Sequence, residues 1–330
     1  MRRTILTSVF SFLSVVAMYA QSVLVATLTH GTDVTMFYGS YALQAAHEAA
    51  VSGDIINLSG GAFQATKISK SIILRGTGID SEDPTCIVND FTISIPEEDS
   101  NRFSMEGIVC TSTIFIDNTF CNPYFLKCQL NDLVLYYSSD NYRKATFVDC
   151  KIIGDFSASY KNDVQILNSY IKGLSCESGG SLTVMNCVIS DSWISDISNS
   201  HLINCILVGD GESSSSDFLP SSTIATNCIS VNCTNNIFEY LEKKTGCSTS
   251  TLTEVFKNYD GTYTDDQTFE LTDAAKTTML GTDGTQVGIY GGMVPYDSTP
   301  SYPLITKMNV SKKTTADGKL SVDIEVSAGK

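Results

Sequence analysis

Between residues 125 and 230 the chain repeats one short order of apolar and polar positions six times. The segments are FLKCQL (Phe125–Leu130), FVDCKI (Phe147–Ile152), ILNSYI (Ile166–Ile171), VMNCVI (Val184–Ile189), LINCIL (Leu202–Leu207) and ATNCIS (Ala225–Ser230). Their fourth positions are Cys128, Cys150, Ser169, Cys187, Cys205 and Cys228, at intervals of 22, 19, 18, 18 and 23 residues. Self-similarity at about 20 residues marks a solenoid. In LINCIL, alternation places Cys205 and Leu207 on one side of a strand, because successive side chains point to opposite faces. Leu202 belongs to that side too, but lies three positions before Cys205. A one-residue bend at Asn204 restores the count, and Asn is among the few non-glycine residues that tolerate a left-handed backbone. Each repeat thus predicts a strand, an Asn corner and a second strand, with Leu202, Cys205 and Leu207 inside and Ile203 and Ile206 outside. Coils stacked in parallel would align the fourth positions as an internal ladder.

Leucine-rich repeats share this period, but need a Leu-x-x-Leu-x-Leu frame and usually a helical half. Residues 86–235 show no amphipathic helical stretch. Val, Ile, Thr, Tyr and Phe are frequent there, with Ser, Asn, Asp and Gly between them, which is strand-and-turn chemistry. The pattern predicts an all-β parallel β-helix. Ahead of it, residues 23–29 read as a strand. A helix is expected from Tyr41 to about Val51, N-capped by Ser40 and ended by Gly53, with a small face of Ala42, Ala45, Ala46 and Ala49. Its assigned role is to cap the open end of the solenoid. After the repeats, Asn236–Lys244 reads as a short helix and Thr251–Asp273 as loop and irregular strand. Residues 304–313 and 319–327 read as two strands around Asp317-Gly318, a hairpin signal. That tail is too short to stand alone and is expected to pack on the solenoid or a partner. The expected division is an export signal (1–20), a β-helix with N-terminal cap (21–296), a linker (297–303) and a β-hairpin tail (304–330).

Two segments carry a family resemblance. The Ala-rich helix is followed by GDIINLSGGAF (Gly53–Phe63) and KSIILRGTG (Lys70–Gly78). Together these resemble the opening coil of right-handed parallel β-helix proteins of the pectin lyase-like superfamily. LGTDGTQVGIYGG (Leu280–Gly292) resembles the terminal segment of secreted bacterial β-helix proteins of the choice-of-anchor Q type, with Gln286 where that pattern often has a second Asp. With the export signal, this is similar to secreted proteins of Bacteroidetes. The resemblance spans roughly residues 35–292 and speaks to fold more than activity. In the same bacterial context, Asp297-Ser298-Thr299 matches a short O-glycosylation pattern, with Ser298 as the acceptor.

A formal net charge of −15, with 17% charged residues, argues against nucleic acid and against anionic membranes or acidic polysaccharides as partners. Arg2 and Arg3, the apolar run from Ile5 to Ala17 and Ala20 before Gln21 form an export signal, and no other segment is long and apolar enough to span a membrane. Removing that signal leaves 19 Lys+Arg against 36 Asp+Glu, a net of −17. Eleven cysteines in an exported chain raise the question of disulfides. Stacked coils bring equivalent Cα atoms to about 4.8 Å, within bridging range, yet parallel side-chain vectors favour buried free thiols. No Cys-x-x-Cys occurs and there are only three His (His30, His47, His201), which leaves no Cys/His zinc pattern.

The superfamily's hydrolases carry Asn-Thr-Asp, Asp-Asp and Gly-His-Gly on neighbouring coils. Here only Asp265-Asp266 is present, in the irregular region, where it reads as a solvated loop rather than a pair flanking a glycosidic bond. A lyase-like calcium face could draw on Asp132, Asp149, Asp155 and Asp163, with Arg143 and Lys144 in a nearby loop. These acids do not recur at one repeat position, apart from Asp149 in the corner slot. His47 reads as exposed on the cap helix, and His201 has no acid or nucleophile partner in sequence. Trp193, in repeat register with Tyr170, either packs on its neighbour or stacks sugars. No catalytic set, metal site or cofactor motif emerges. The expectation is an exported, non-catalytic scaffold or carbohydrate- or surface-binding module; the alternative is an atypical polysaccharide lyase or glycoside hydrolase.

Overall fold

The computed structural model describes residues 23–96, 102–117, 122–136, 143–158, 162–176, 180–190, 200–211, 219–310, 313–314 and 317–327. The expected export signal and Trp193 lie outside them. The fold is a parallel β-solenoid. One sheet carries the strand before each corner, from Ile55–Leu58 through Tyr124–Leu126, Arg143–Val148, Asn162–Leu167, Ser181–Met185, Ser200–Ile203 and Ile224–Thr226 to Lys243–Thr245. A second carries the strand after each corner, from Gly61–Gln64 through Lys151–Ala158, Tyr170–Cys176 and Ile206–Val208 to Ser248–Ser250. A shorter strip, Phe91–Ile93, Ile114–Asp117 and Leu133–Tyr136, joins the far half of Lys151–Ala158.

The corner residues have the left-handed backbone that the repeat demands. Their φ values are 54° at Lys127, 53° at Asp149, 46° at Asn168, 53° at Asn186, 55° at Asn204 and 50° at Asn227. Gly107 and Gly246, at 68° and 66°, occupy the same slot. They extend the ladder by one coil at each end, with Ile108 and Cys247 in the inward position. The coil at Lys243–Ser250 replaces the helix expected over Asn236–Lys244. Residues 237–240 form a turn instead, and Ile237, Phe238 and Leu241 join the core. Pairing with the preceding coil outweighs the local helix propensity of Glu242–Lys244.

Inside, coil after coil stacks like on like. Phe125 lies on Phe147 at 4.8 Å and 6°, with Phe103 and Phe156 edge-on at either side. Each such buried ring or aliphatic chain contributes about 1.5–3 kcal/mol. Beyond the last coil, α2 (Leu252–Val255) appears within the stretch Thr251–Asp273, where loop and irregular strand were expected, and α3 (Asp273–Thr278) follows it. The cap helix, α1, spans Ala42–Ala49. Residues 252–289 cover the outer side of the second sheet, burying Ile206, Val208, Ile229 and Val231 under Phe256, Phe269, Leu271 and Val287. Ile206 therefore points out of the coil as expected, yet is not exposed.

The N-terminal cap differs in detail. Strand β1 (Val25–His30) pairs antiparallel with Ile55–Leu58 and with β2 (Asp33–Tyr38), an unforeseen hairpin that leaves β2 as the sheet edge. Helix α1 buries Ala42, Leu43 and Ala46, whereas Ala49 is exposed. Tyr41, not Ser40, is its N-cap and makes no side-chain bond. Its C-terminal carbonyls are taken by Lys70, whose Nζ reaches His47 O (2.8 Å), Glu48 O (3.0 Å) and Ala50 O (2.7 Å). Gly53 turns later, at φ 96°, into the first coil. His47 is buried rather than exposed, and its Nε2 accepts the Ser69 N–H at 3.1 Å. Burial, then nearby Lys70, lowers its pKa to about 4.

From Leu280 the chain doubles back along the corner ridge as a strap. Asn227 Nδ2 donates to Leu280 O (3.5 Å), Thr282 N to Asn204 Oδ1 (2.9 Å), and Asn168 Nδ2 to the carbonyls of Ile289 (2.9 Å) and Gly291 (2.8 Å). Lys127 Nζ then holds Thr299 O (2.5 Å), Glu106 accepts from Ser301 N (2.6 Å), and Tyr302 donates to Gly76 O (2.5 Å). The Gly-rich segment at 280–292 is thus the docking face of the strap. A Cβ on Gly292 would meet the Asn186 amide at 2.6 Å, and one on Gly281 the Asn204 amide at 2.8 Å. Residues 297–303, read as a linker, lie bound against the first coils. Beyond them Leu304–Val310 and Val322–Ser327 form the expected hairpin, its second strand starting at 322 rather than 319.

The corner amides give a direct test. Asn204→Ala loses both the left-handed tolerance and the bonds to Thr282 and Asn186, and is expected to lower unfolding free energy by about 2–4 kcal/mol in denaturant titration. Asn204→Gly keeps the backbone and loses only the bonds, so it should cost about half as much. Equal stability of both variants and the parent would refute the role given to this corner.

Candidate functional site

The six ladder residues stand one rung apart. Gln129 pairs with Lys151, Lys151 with Tyr170, Tyr170 with Val188, Val188 with Ile206 and Ile206 with Ile229, and each follows a ladder residue. Cys128, Cys150, Ser169, Cys187, Cys205 and Cys228 are all 0% exposed. The thiols are free and donate to backbone carbonyls, as Cys187 does to Met185 O at 3.2 Å and Ile166 O at 3.5 Å. Burial raises Cys150, Cys205 and Cys228 well above the ordinary thiol range, with neighbouring thiols of the ladder adding to the effect. Protonated, walled-in thiols are poor nucleophiles and poor metal ligands. Ser169 fits the slot because its Oγ accepts the Cys150 N–H (3.0 Å) and donates to Leu167 O (2.7 Å).

Two adjacent corners carry opposite charge instead of Asn. Lys127 and Asp149 are both 3% exposed. Lys127 Nζ reaches Asp297 Oδ2 at 3.2 Å as well as Thr299 O. Asp149 Oδ1 has no hydrogen-bond partner. Burial pushes the Asp149 carboxyl up to about 7, against the pull of Lys127 and with Asp297 adding to the rise. These residues clamp the strap.

Beside the clamp lies a cleft of about 370 Å³. At its base Lys151, 6% exposed, donates to Asp265 O (3.0 Å) and Asp80 Oδ1 (3.4 Å). Asp266, Tyr290, Tyr296 and Ser298 contribute to the walls. Burial keeps the Tyr296 phenol protonated, and Asp80 reinforces this. A second cleft of about 520 Å³, bounded by Glu82 and Asp83, shares Asp80 and Ser298 with the first. The combined surface offers ammonium and phenol donors facing carboxylate acceptors, a set able to hydrogen-bond a polyhydroxylated ligand.

The remaining sequence candidates do not converge. Asp132 accepts the Asp155 N–H (2.9 Å), and Asp163 accepts the Ser181 hydroxyl (2.7 Å). Arg143 and Lys144 belong to the strand Arg143–Val148, not to a loop, because each pairs with the next coil at Asn162 and Asp163. His201 is exposed on its strand. Asp265 and Asp266 are exposed, as expected of a solvated loop, but that loop is folded onto the coils: Asp265 Oδ1 also accepts from Tyr263 (3.3 Å). Tyr170 is buried and stacks with both Tyr263 (4.8 Å) and Phe269 (4.6 Å). Among the described residues no group of three or more His, Cys, Asp or Glu is placed to hold a metal ion, and no helix is long and apolar enough to cross a membrane.

The cleft and the clamp escaped sequence reasoning. The one available signal was the appearance of Lys127 and Asp149, opposite in charge, at equivalent slots of consecutive coils. Comparison with protein-family models, curated proteins and solved structures finds no match. The class of protein that fold and ridge define is a parallel β-solenoid closed along one corner by its own C-terminal strap.

A raised carboxyl pKa means that the folded state binds the proton more tightly than the unfolded state. Stability from this group therefore falls as pH rises from about 4 to about 7 and levels off above that. Asp149→Asn supplies the corner amide found at Asn168, Asn186, Asn204 and Asn227 and removes the titration. At pH 8 it should unfold with about 1–3 kcal/mol more free energy than the parent, and at pH 4 with little difference. An unchanged difference between the two proteins across that range would show that Asp149 does not titrate near neutrality.

Proposed function

We propose that this chain is an exported, non-catalytic β-solenoid that serves as a scaffold or as a carbohydrate- or surface-binding module. The observation that carries it is the strap. Lys127, Glu106, Asn168 and Asn204 are engaged along the ridge in holding residues 280–302, and Asp132 and Asp163 are engaged in bonds between coils. Such a surface presents fixed hydrogen-bonding groups rather than a pair of carboxylates about one scissile bond. Export rests on the basic and apolar residues ahead of Gln21. Ser298, on the rim shared by the two clefts, is the residue proposed for O-glycosylation.

The Lys151 cleft favours one second reading, an atypical polysaccharide lyase or glycoside hydrolase, because it sets a buried ammonium and two phenols beside carboxylates. A panel of plant, host and microbial glycans separates the two. Retention on a glycan without product release, weakened at least tenfold by Lys151→Met, supports the binding module. Product release that Asp80→Asn abolishes would replace it with the enzyme.

A further inference from the structure

The two ends of the first sheet are finished differently. At the C-terminal end the edge strand Lys243–Thr245 is polar throughout, and Lys244 folds back onto the carbonyls of Phe238 (2.9 Å) and Glu239 (2.6 Å). Lysines on an edge strand discourage further pairing. At the N-terminal end the edge is β2. Its alternate residues Val34, Met36 and Tyr38 are 57%, 56% and 65% exposed, on the outer face of the sheet alongside Val25, Thr27 and Thr29 of β1. Among the described residues, nothing of the lysine or proline kind blunts this edge.

A matching element exists in the same chain. The strand Val322–Ser327 alternates apolar Val322, Ile324 and Val326, 47–58% exposed, with Asp323 and Glu325. Among the described strands it pairs only with Leu304–Val310, and a two-stranded hairpin is marginal in water without a third strand or a packed face. Both strands are six residues long and both present apolar side chains every second residue. Charge agrees as well. Residues 304–330 hold five Lys against three Asp+Glu, while the rest of the chain carries a formal −17. A basic hairpin seated on an acidic solenoid offsets the repulsion between two such bodies. The hairpin leaves the strap just after Tyr302, which is bound to Gly76 on an early coil, so hairpin root and β2 edge lie toward the same end.

We propose that the β2 edge receives the terminal hairpin of a second copy of this chain, with Val322–Ser327 added as a further strand and the exchange made reciprocally in a two-fold dimer. An isologous arrangement closes on itself and occupies both edges and both hairpins at once. Val322, Ile324 and Val326 then extend the apolar strip begun by Val34, Met36 and Tyr38.

Light scattering on the size-fractionated chain from Gln21 to Lys330 tests this. The parent should show twice the monomer mass. Met36→Lys (edge) and Ile324→Lys (hairpin) should each halve it while leaving the circular-dichroism spectrum of the solenoid unchanged. Mixing the two variants should restore association, because the intact hairpin of one meets the intact edge of the other. A monomeric parent, including one whose hairpin is protected from amide exchange by docking on its own cap, overturns the proposal. So does a dimer that survives both substitutions, or a mixture that stays monomeric.

Discussion

Everything in this molecule depends on one backbone constraint: the corner residue of each repeat held at positive φ, stacked in register with its counterparts above and below. That residue swings the chain from the first sheet to the second and lets the ladder position face inward again. Asn meets the constraint at low steric cost and brings an amide that points along the ridge. Repetition then makes a row of amides from separate turns of backbone. A strap with free carbonyls and N–H groups finds partners on several of the coils it passes.

The strap changes what kind of object the solenoid is. A repeat protein held only by nearest-neighbour contacts can fray one coil at a time. Here residues 280–302 bond to coils from Asn227 back to Gly76, so loss of an end coil also breaks contacts made by the strap to the middle. The Lys127–Asp149–Asp297 clamp sits near the middle of that run. The buried Asp149 carboxyl is less stabilising there than an amide would be, since desolvation opposes its ionisation. Lys127 and Asp297 tie the strap's register to one place, because among the described residues only there does a cation on the ridge meet a carboxylate on the strap. The same strap forms one wall of both clefts, so the clefts exist only when the ridge is covered.

The inward thiols illustrate a complementary economy of space. Each Sγ lies against a carbonyl of its own coil and one of the coil before. A Cys is small enough to fit at a corner and apolar enough to fill it, and at Cys150, Cys205 and Cys228 burial raises the thiol pKa. Ser169 shows that the slot accepts a hydroxyl when that hydroxyl bonds backbone groups on both sides.

Local chemistry alone determined the repeat, the corner, the inward ladder, the cap helix and the terminal hairpin, since each is written in residues close together in the chain. The coils at Gly107 and Gly246 were harder to read because glycine in the corner slot erases the Asn signal while meeting the same φ requirement. What only tertiary structure decided involves residues far apart. His47 became buried because Ser69 and Lys70 close over it, and Ile206 because residues 252–289 cover the outer sheet. Lys127 met Asp297, and Lys151 met Asp80 and Asp265, across 170, 71 and 114 positions. Periodicity encodes which way a side chain points. It carries no information on which distant segment will lie against it, because that choice is made by the return path of the strap over a ridge that exists only after the coils have stacked.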